Sequence, residues 1–154
     1  MHKILEEIQD YSLTELCILP NIPIHTYFMN YPDLVVIDCS LNFHLAGFSV
    51  LFIHKVKDLF KFLKKVKHKT IVIDYLNFYF DQVNNPLLLF NALWDCIYNN
   101  NRIFVINHFK KINTMNKATL ESKHSTLYNK MCSYKVTITD KIEIYKNKEN
   151  TLIK

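Results

Sequence analysis

Glycine is almost absent: Gly47 is the only one in 154 residues. A loop that wraps nucleotide phosphates needs several glycines, because its backbone N–H groups must close on the anion and some positions require positive φ. The chain has no G-x-x-x-x-G-K-[ST], no G-x-G-x-x-G and no G-x-S-x-G. The usual glycine-loop routes to nucleotide binding are therefore closed. Arginine is equally scarce, with Arg102 alone among 19 basic residues. Lysine meets phosphate as a point charge but lacks the bidentate fork that reads guanine. The net charge of +5 thus fits contact with a nucleic-acid backbone better than base reading, and fits an ordinary solvated surface as well. Cys17, Cys39, Cys96 and Cys132 form no C-x-x-C pair, which excludes a zinc finger or disulfide framework signature. Cys39 and Cys96 sit in apolar segments and read as inert buried thiols. No apolar run approaches the roughly 20 residues of a membrane helix. The N-terminus, MHKILEEIQDYSL, carries acids where a signal peptide would be apolar. A soluble intracellular protein is expected.

What is present is apolar and aromatic, 49% and 14% respectively, enough for one domain with a sizeable core. Residues 3–17 read as a helix with Ile4, Leu5, Ile8 and Leu13 on one face. PNIPIHTYFMNYPD is a proline-punctuated connector. LVVIDCS is a continuous apolar run ending on Asp38, as in a strand covered on both faces. In IHKVKDLFKFLKKVKH, Val56, Leu59, Phe60, Leu63 and Val66 recur at helical spacing, with lysines outside. KTIVIDYLNFYFD is a second buried strand that stops on Asp74. Pro86 can start a helix with Leu88, Leu89, Ala92, Leu93 and Ile97 facing inward. Ile103–Ile106 gives a third strand. NHFKKINTMNKATLESKHSTLYNK reads as a long polar loop, and YKVTITDKIEIYKNKENTLIK as an alternating β-meander. Strand and helix in alternation imply an α/β fold with a mostly parallel sheet, flanking helices and a C-terminal antiparallel β-meander. Division of the chain is expected as 1–32, N-terminal helix and connector, and 33–150, core, in a single domain spanning 1–154.

Ligands of such sheets gather at the carboxyl ends of strands, where Asp38 and Asp74 both fall. Each has three readings: a cap for the following turn, a vestigial acid, or a metal ligand. As a pair on one metal they would support phosphodiester hydrolysis by an activated water. Asp81 and Asp95 are poorly placed to complete such a cluster. His44, His54, His68, His108 and His124 show no H-E-x-x-H spacing, and only His108 is expected near Asp74. Two basic features remain. Lys57, Lys61, Lys64 and Lys65 project opposite the apolar stripe of a helix. Lys110, Lys111, Lys117 and Lys123 lie in the long polar loop, and long loops in compact domains are often functional. Phe78, Tyr79, Phe80, Phe90 and Trp94 are expected to leave an apolar patch for a partner. No metal or cofactor is expected.

In order and spacing, LVVIDCSLNF, a crossover helix, KTIVIDYLNFYFD, NRIFVINHF, the polar loop and the meander resemble the core of the RecA-like recombinase family. More narrowly they resemble its degenerate paralogues, the small subunits of the Shu complex. The resemblance covers roughly residues 33 to 150. It rests on Ile37–Asp38–Cys39–Ser40, on Ile71–Val72–Ile73–Asp74 as a vestigial Walker B strand, and on Val105–Ile106–Asn107. It implies a RecA-like fold lacking the P-loop. It implies no catalysis, a nuclear location and a partner that is another RecA-like paralogue subunit. It also implies DNA contact within a heteromeric complex that assists recombinase filament assembly. The family's second DNA-binding loop would fall on residues 108 to 130, making Lys110, Lys111, Lys117 and Lys123 the DNA-binding residues and the helix lysines a secondary basic face. The alternatives are an Elongator-type RecA-like subunit acting on tRNA, a metal-dependent nuclease or phosphatase using Asp38 and Asp74, and a pure protein-interaction subunit.

Overall fold

The computed structural model describes residues 8, 11–19, 21–114, 117–122, 124–146 and 151–152. Five strands run parallel: β1 (Leu13–Ile18), β2 (Leu34–Asp38), β3 (Thr70–Asp74), the first half of β4 (Arg102–Thr114) and β6 (Tyr134–Ile138). β7 (Ile142–Lys146) and β8 (Thr151–Leu152) add antiparallel strands at one edge, so the order is β2-β3-β4-β1-β6-β7-β8. The alternating apolar runs explain this directly. Ile71 and Ile73 face one side of the sheet and Val72 the other, and all three are fully buried.

Each side of the sheet has its own core. On one, α2 (Val56–Lys65), α3 (Leu87–Ile97), α4 (Ser125–Met131) and the 3-10 segment Leu76–Gln82 pack on Leu13, Ile37, Ile71, Ile73, Ile103 and Val105. On the other, the 3-10 segment Ile24–Phe28 and the short turn of helix α1 (Asn42–Leu45) cover Leu16, Val36, Val72, Phe104 and Val136. Each fully buried Leu, Ile or Phe contributes about 1.5–3 kcal/mol relative to exposure.

Four expectations are corrected. Residues 13–18 are not the end of a helix but the strand at the centre of the sheet, paired with β4 on one side and β6 on the other. Burial on both faces outweighs the helical spacing of Ile8 and Leu13, and the core begins at residue 13 rather than 33. The earlier part of that expected helix, residues 3–7 and 9–10, lies outside the described residues. The polar stretch after Ile106 is not an irregular loop: β4 continues to Thr114 and pairs antiparallel with β5 (Lys117–Ser122), and α4 follows. Finally, Tyr79, Phe80 and Phe90 are buried and Phe78 and Trp94 half-buried against the helix-side core. They are core residues rather than a patch. Exposed apolar side chains cluster elsewhere, at Leu41, Leu45 (80% exposed), Leu51 and Phe52, beside the edge strand β2. Leu88 of α3 is also exposed instead of inward-facing.

With one glycine available, left-handed backbone falls on other residues. Asn30, Asp33, His68, Asn100 and His124 have φ between 54° and 63°, and Asn, Asp and His tolerate this conformation best after glycine. Leu41, at φ 70°, is the exception and lies beside the strand-end acids.

Candidate functional site

β2 and β3 are paired in register down to Asp38 opposite Asp74, so the two acids meet at the carboxyl end of the sheet. Both are buried. Asp38 organises the turn that follows it: its carboxylate accepts from the Ser40 N–H (3.3 Å), the Ser40 hydroxyl (3.1 Å) and the His44 N–H (2.8 Å). Those bonds hold Ser40 to His44 in place across Leu41, where the backbone is left-handed. This is the capping role.

Asp74 is different. One carboxylate oxygen accepts from the Ser40 hydroxyl at 2.7 Å, so Ser40 bridges the two acids. The other, Oδ1, is buried without a hydrogen-bond partner. Burial pushes the Asp74 carboxyl above the usual carboxylate range; the Ser40 hydrogen bond, His108 and Asn42 oppose the rise, and Asp38 adds to it. His108 ends β4's parallel half, opposite Ile18, and its Nδ1 is likewise buried and unpartnered. Asn42 and His108 also line a cavity of about 220 Å³, together with Asn21, Ile22, Pro23 and His25 from the segment after β1. That segment, Leu19 to Ile24, reads LPNIPI: it holds no glycine, and its two prolines have no N–H to donate. Among the described residues no three His, Cys, Asp or Glu side chains are grouped so as to hold a metal ion.

A second polar set at this end was not foreseen. Glu15, fully buried in the middle of β1, accepts from Asn107 Nδ2 at 2.8 Å. Asn107 Oδ1 in turn accepts from Asn77 Nδ2 (3.1 Å), and the Tyr128 hydroxyl donates to Asn77 Oδ1. Burial raises the Glu15 carboxyl; its bond from Asn107 and the nearby Lys135 pull it back. This chain of side chains ties β1 and the base of the β4–β5 hairpin to α4 beyond it. The only sequence signal was an acid inside an apolar run, LTELCI, which becomes informative once that run is recognised as a strand.

The other expected residues are dispersed. Asp81 and Asp95 are exposed, and His44, His54, His68 and His124 lie on the surface. Lys57, Lys61, Lys64 and Lys65 are exposed on α2 as expected. Lys110 and Lys111 fall on β4 and Lys117 on β5, in the antiparallel hairpin beyond β4's parallel pairing; Lys123 lies outside the described residues. Cys96 is buried, and its thiol is pushed up to about 11 by burial. Cys39 is half-buried and raised for the same reason, so both are poor nucleophiles.

No family model matches the sequence, and no curated protein matches it. Solved structures do match the fold. A RadB recombinase superposes with a TM-score of 0.50 at 10% identity, over 89% of this chain and 80% of its own. A KaiC-like protein from Pyrococcus horikoshii gives 0.51 at 8% identity, over 88% of this chain and 77% of its own. The fold is RecA-like, a mostly parallel α/β sheet with flanking helices and an antiparallel edge.

Proposed function

We propose that this chain is a non-catalytic RecA-like subunit of a heteromeric DNA-binding complex that assists recombinase filament assembly in homologous recombination repair. The carrying observation is the contrast between a retained RecA-like sheet and the segment after its central strand. LPNIPI follows β1, at the carboxyl end where ligands of such sheets bind, with none of the glycines a phosphate-wrapping loop requires and with two prolines that have no N–H to offer. The acids beside it support the same reading. Asp38 is engaged in capping a turn, and Asp74 is a buried, raised carboxyl bound by Ser40. The basic hairpin bearing Lys110, Lys111 and Lys117 supports contact with a phosphate backbone, which is salt-sensitive and poor in sequence information. The exposed Leu41, Leu45, Leu51 and Phe52 support pairing with another RecA-like chain.

Equilibrium binding of labelled ATP with magnesium, beside binding of labelled DNA, tests this reading. DNA binding without measurable ATP binding is expected. Magnesium-dependent hydrolysis of nucleotide or DNA that is lost in Asp74→Asn would replace the reading with an enzymatic one.

A further inference from the structure

The opposite end of the sheet carries a second cavity, of about 350 Å³, at the amino ends of β2, β3 and β4. Its walls include Tyr11, Tyr31, Asp33, His68, Lys69 and Arg102. Arg102 is the one arginine of the chain, and it donates from Nη1 to the Tyr31 hydroxyl at 2.7 Å. Tyr31 is held by an edge contact with Phe28. Tyr11 presents its ring to solvent, 60% exposed. Lys69 is only loosely engaged, 3.8 Å from Asp33, with both side chains largely exposed.

The cavity is braced rather than formed by loose loops. Asn101, fully buried, accepts from the Lys69 N–H (3.0 Å) and donates to the Val66 and Cys96 carbonyls (2.9 and 2.8 Å). Further backbone bonds join Thr70 to Asp33 and Arg102 to Lys69. Asp33, His68 and Asn100 each hold left-handed backbone in the walls, the kind of local cost that persists where surroundings fix it.

We infer that this amino-end cavity binds a nucleotide unit of single-stranded nucleic acid. Its phosphate would sit against Arg102 and Lys69, and its base would stack on Tyr11. A cationic fork beside aromatic faces is the combination that single strands use, because every base has a π-face and every unit a phosphate. The volume lies in the range of small-ligand sites. This deepens the nucleic-acid reading above and rests on it for the polymer; the cavity itself is at the other end of the sheet from the strand-end acids.

The test uses the full chain and three probes: a short labelled oligo-dT, dTMP and inorganic phosphate. Expected affinity falls in that order. Tyr11→Ala should weaken oligo-dT and dTMP about tenfold and leave phosphate unchanged, whereas Tyr11→Phe should bind as the parent. Arg102→Lys, which keeps the charge but not the fork, should weaken all three probes. Unchanged oligo-dT binding in Tyr11→Ala and Arg102→Lys, with loss when Lys110, Lys111, Lys117 and Lys123 are replaced by Ala, would overturn the cavity and leave the hairpin reading standing. Phosphate binding as tightly as dTMP would reduce the site to an anion site, and dTMP binding as tightly as oligo-dT would make its ligand a free nucleotide; either contradicts the inference. No binding of DNA by any form would remove both readings.

Discussion

The two ends of the parallel sheet are built from opposite chemistry. At the carboxyl ends, Asp38, Asp74 and Glu15 are buried with hydroxyl and amide partners, beside a proline-bearing segment. At the amino ends, Arg102, Lys69 and His68 surround an open cavity with tyrosines. Ligands of open α/β sheets normally bind at the carboxyl ends. Here that end holds buried acids, whereas cations gather at the amino ends and on the exposed face of α2, and the hairpin lysines lie beyond the carboxyl end of β4's parallel half. A layout of strands can therefore be kept without the electrostatics of the site it usually frames, and the location of charge says more about function than the fold does.

Each end hangs on one buried side chain, and removing it gives the largest expected effects. Asp38→Ala deletes the acceptors for Ser40 and His44 and should destabilise the fold by about 3 kcal/mol, read as a lower urea midpoint. Were Asp38 mainly a metal ligand, the variant would be as stable as its parent in metal-free buffer. Asn101→Ala should cost about 2 kcal/mol, because it strands the Lys69 N–H and takes a donor from the Val66 and Cys96 carbonyls. A cost near zero would mean that the amino-end loops are not braced as described.

A smaller effect separates Glu15 by pH. Its folded pKa is raised above the ordinary 4.5, so the folded state holds the proton more tightly than the unfolded chain. Stability from this group is present at low pH and is lost as pH rises from about 4.5 through the folded value. Glu15→Gln removes that loss and keeps an oxygen for Asn107. Its advantage over the parent should be absent in acid and grow with pH. A difference independent of pH would show that Glu15 does not titrate in the fold.

Much of the layout was legible. LVVID and TIVID read as buried strands because a strand covered on both faces has no polar side to interrupt it, and Val56, Leu59, Phe60, Leu63 and Val66 marked α2. The central strand was not legible. Thr14 and Glu15 break the apolar run of LTELCI, and Ile8 with Leu13 happens to match helical spacing; only the pairing with β4 and β6 makes Glu15 a core residue. The hairpin was missed because KKINT and KATLES are polar on the stretches that pair, so hydrophobic alternation was too weak to mark strands. Asp38 and Asp74 were found by position, but Ser40 as their bridge depends on register across two strands. The amino-end cavity joins residues from four separate segments, a grouping no spacing rule detects.

The smallest expected effect on folding, and the sharpest on function, comes from the lysines. Replacing Lys110, Lys111, Lys117 and Lys123 by Ala should reduce the salt dependence of DNA binding by up to about 0.7–0.9 in log–log slope for each phosphate no longer neutralised, with the urea midpoint unmoved. The same number of substitutions on α2, at Lys57, Lys61, Lys64 and Lys65, is the control for net charge. Equal losses from both sets would assign the effect to charge alone, and loss only from the α2 set would place the DNA on that face.

The central proposal is that a RecA-like sheet serves here in DNA binding without nucleotide. The most direct test is to titrate the chain into labelled single-stranded DNA with and without magnesium and ATP. Superimposable curves and no phosphate release are predicted. Binding that requires ATP, or turnover that disappears in Asp74→Asn, would contradict a nucleotide-free role.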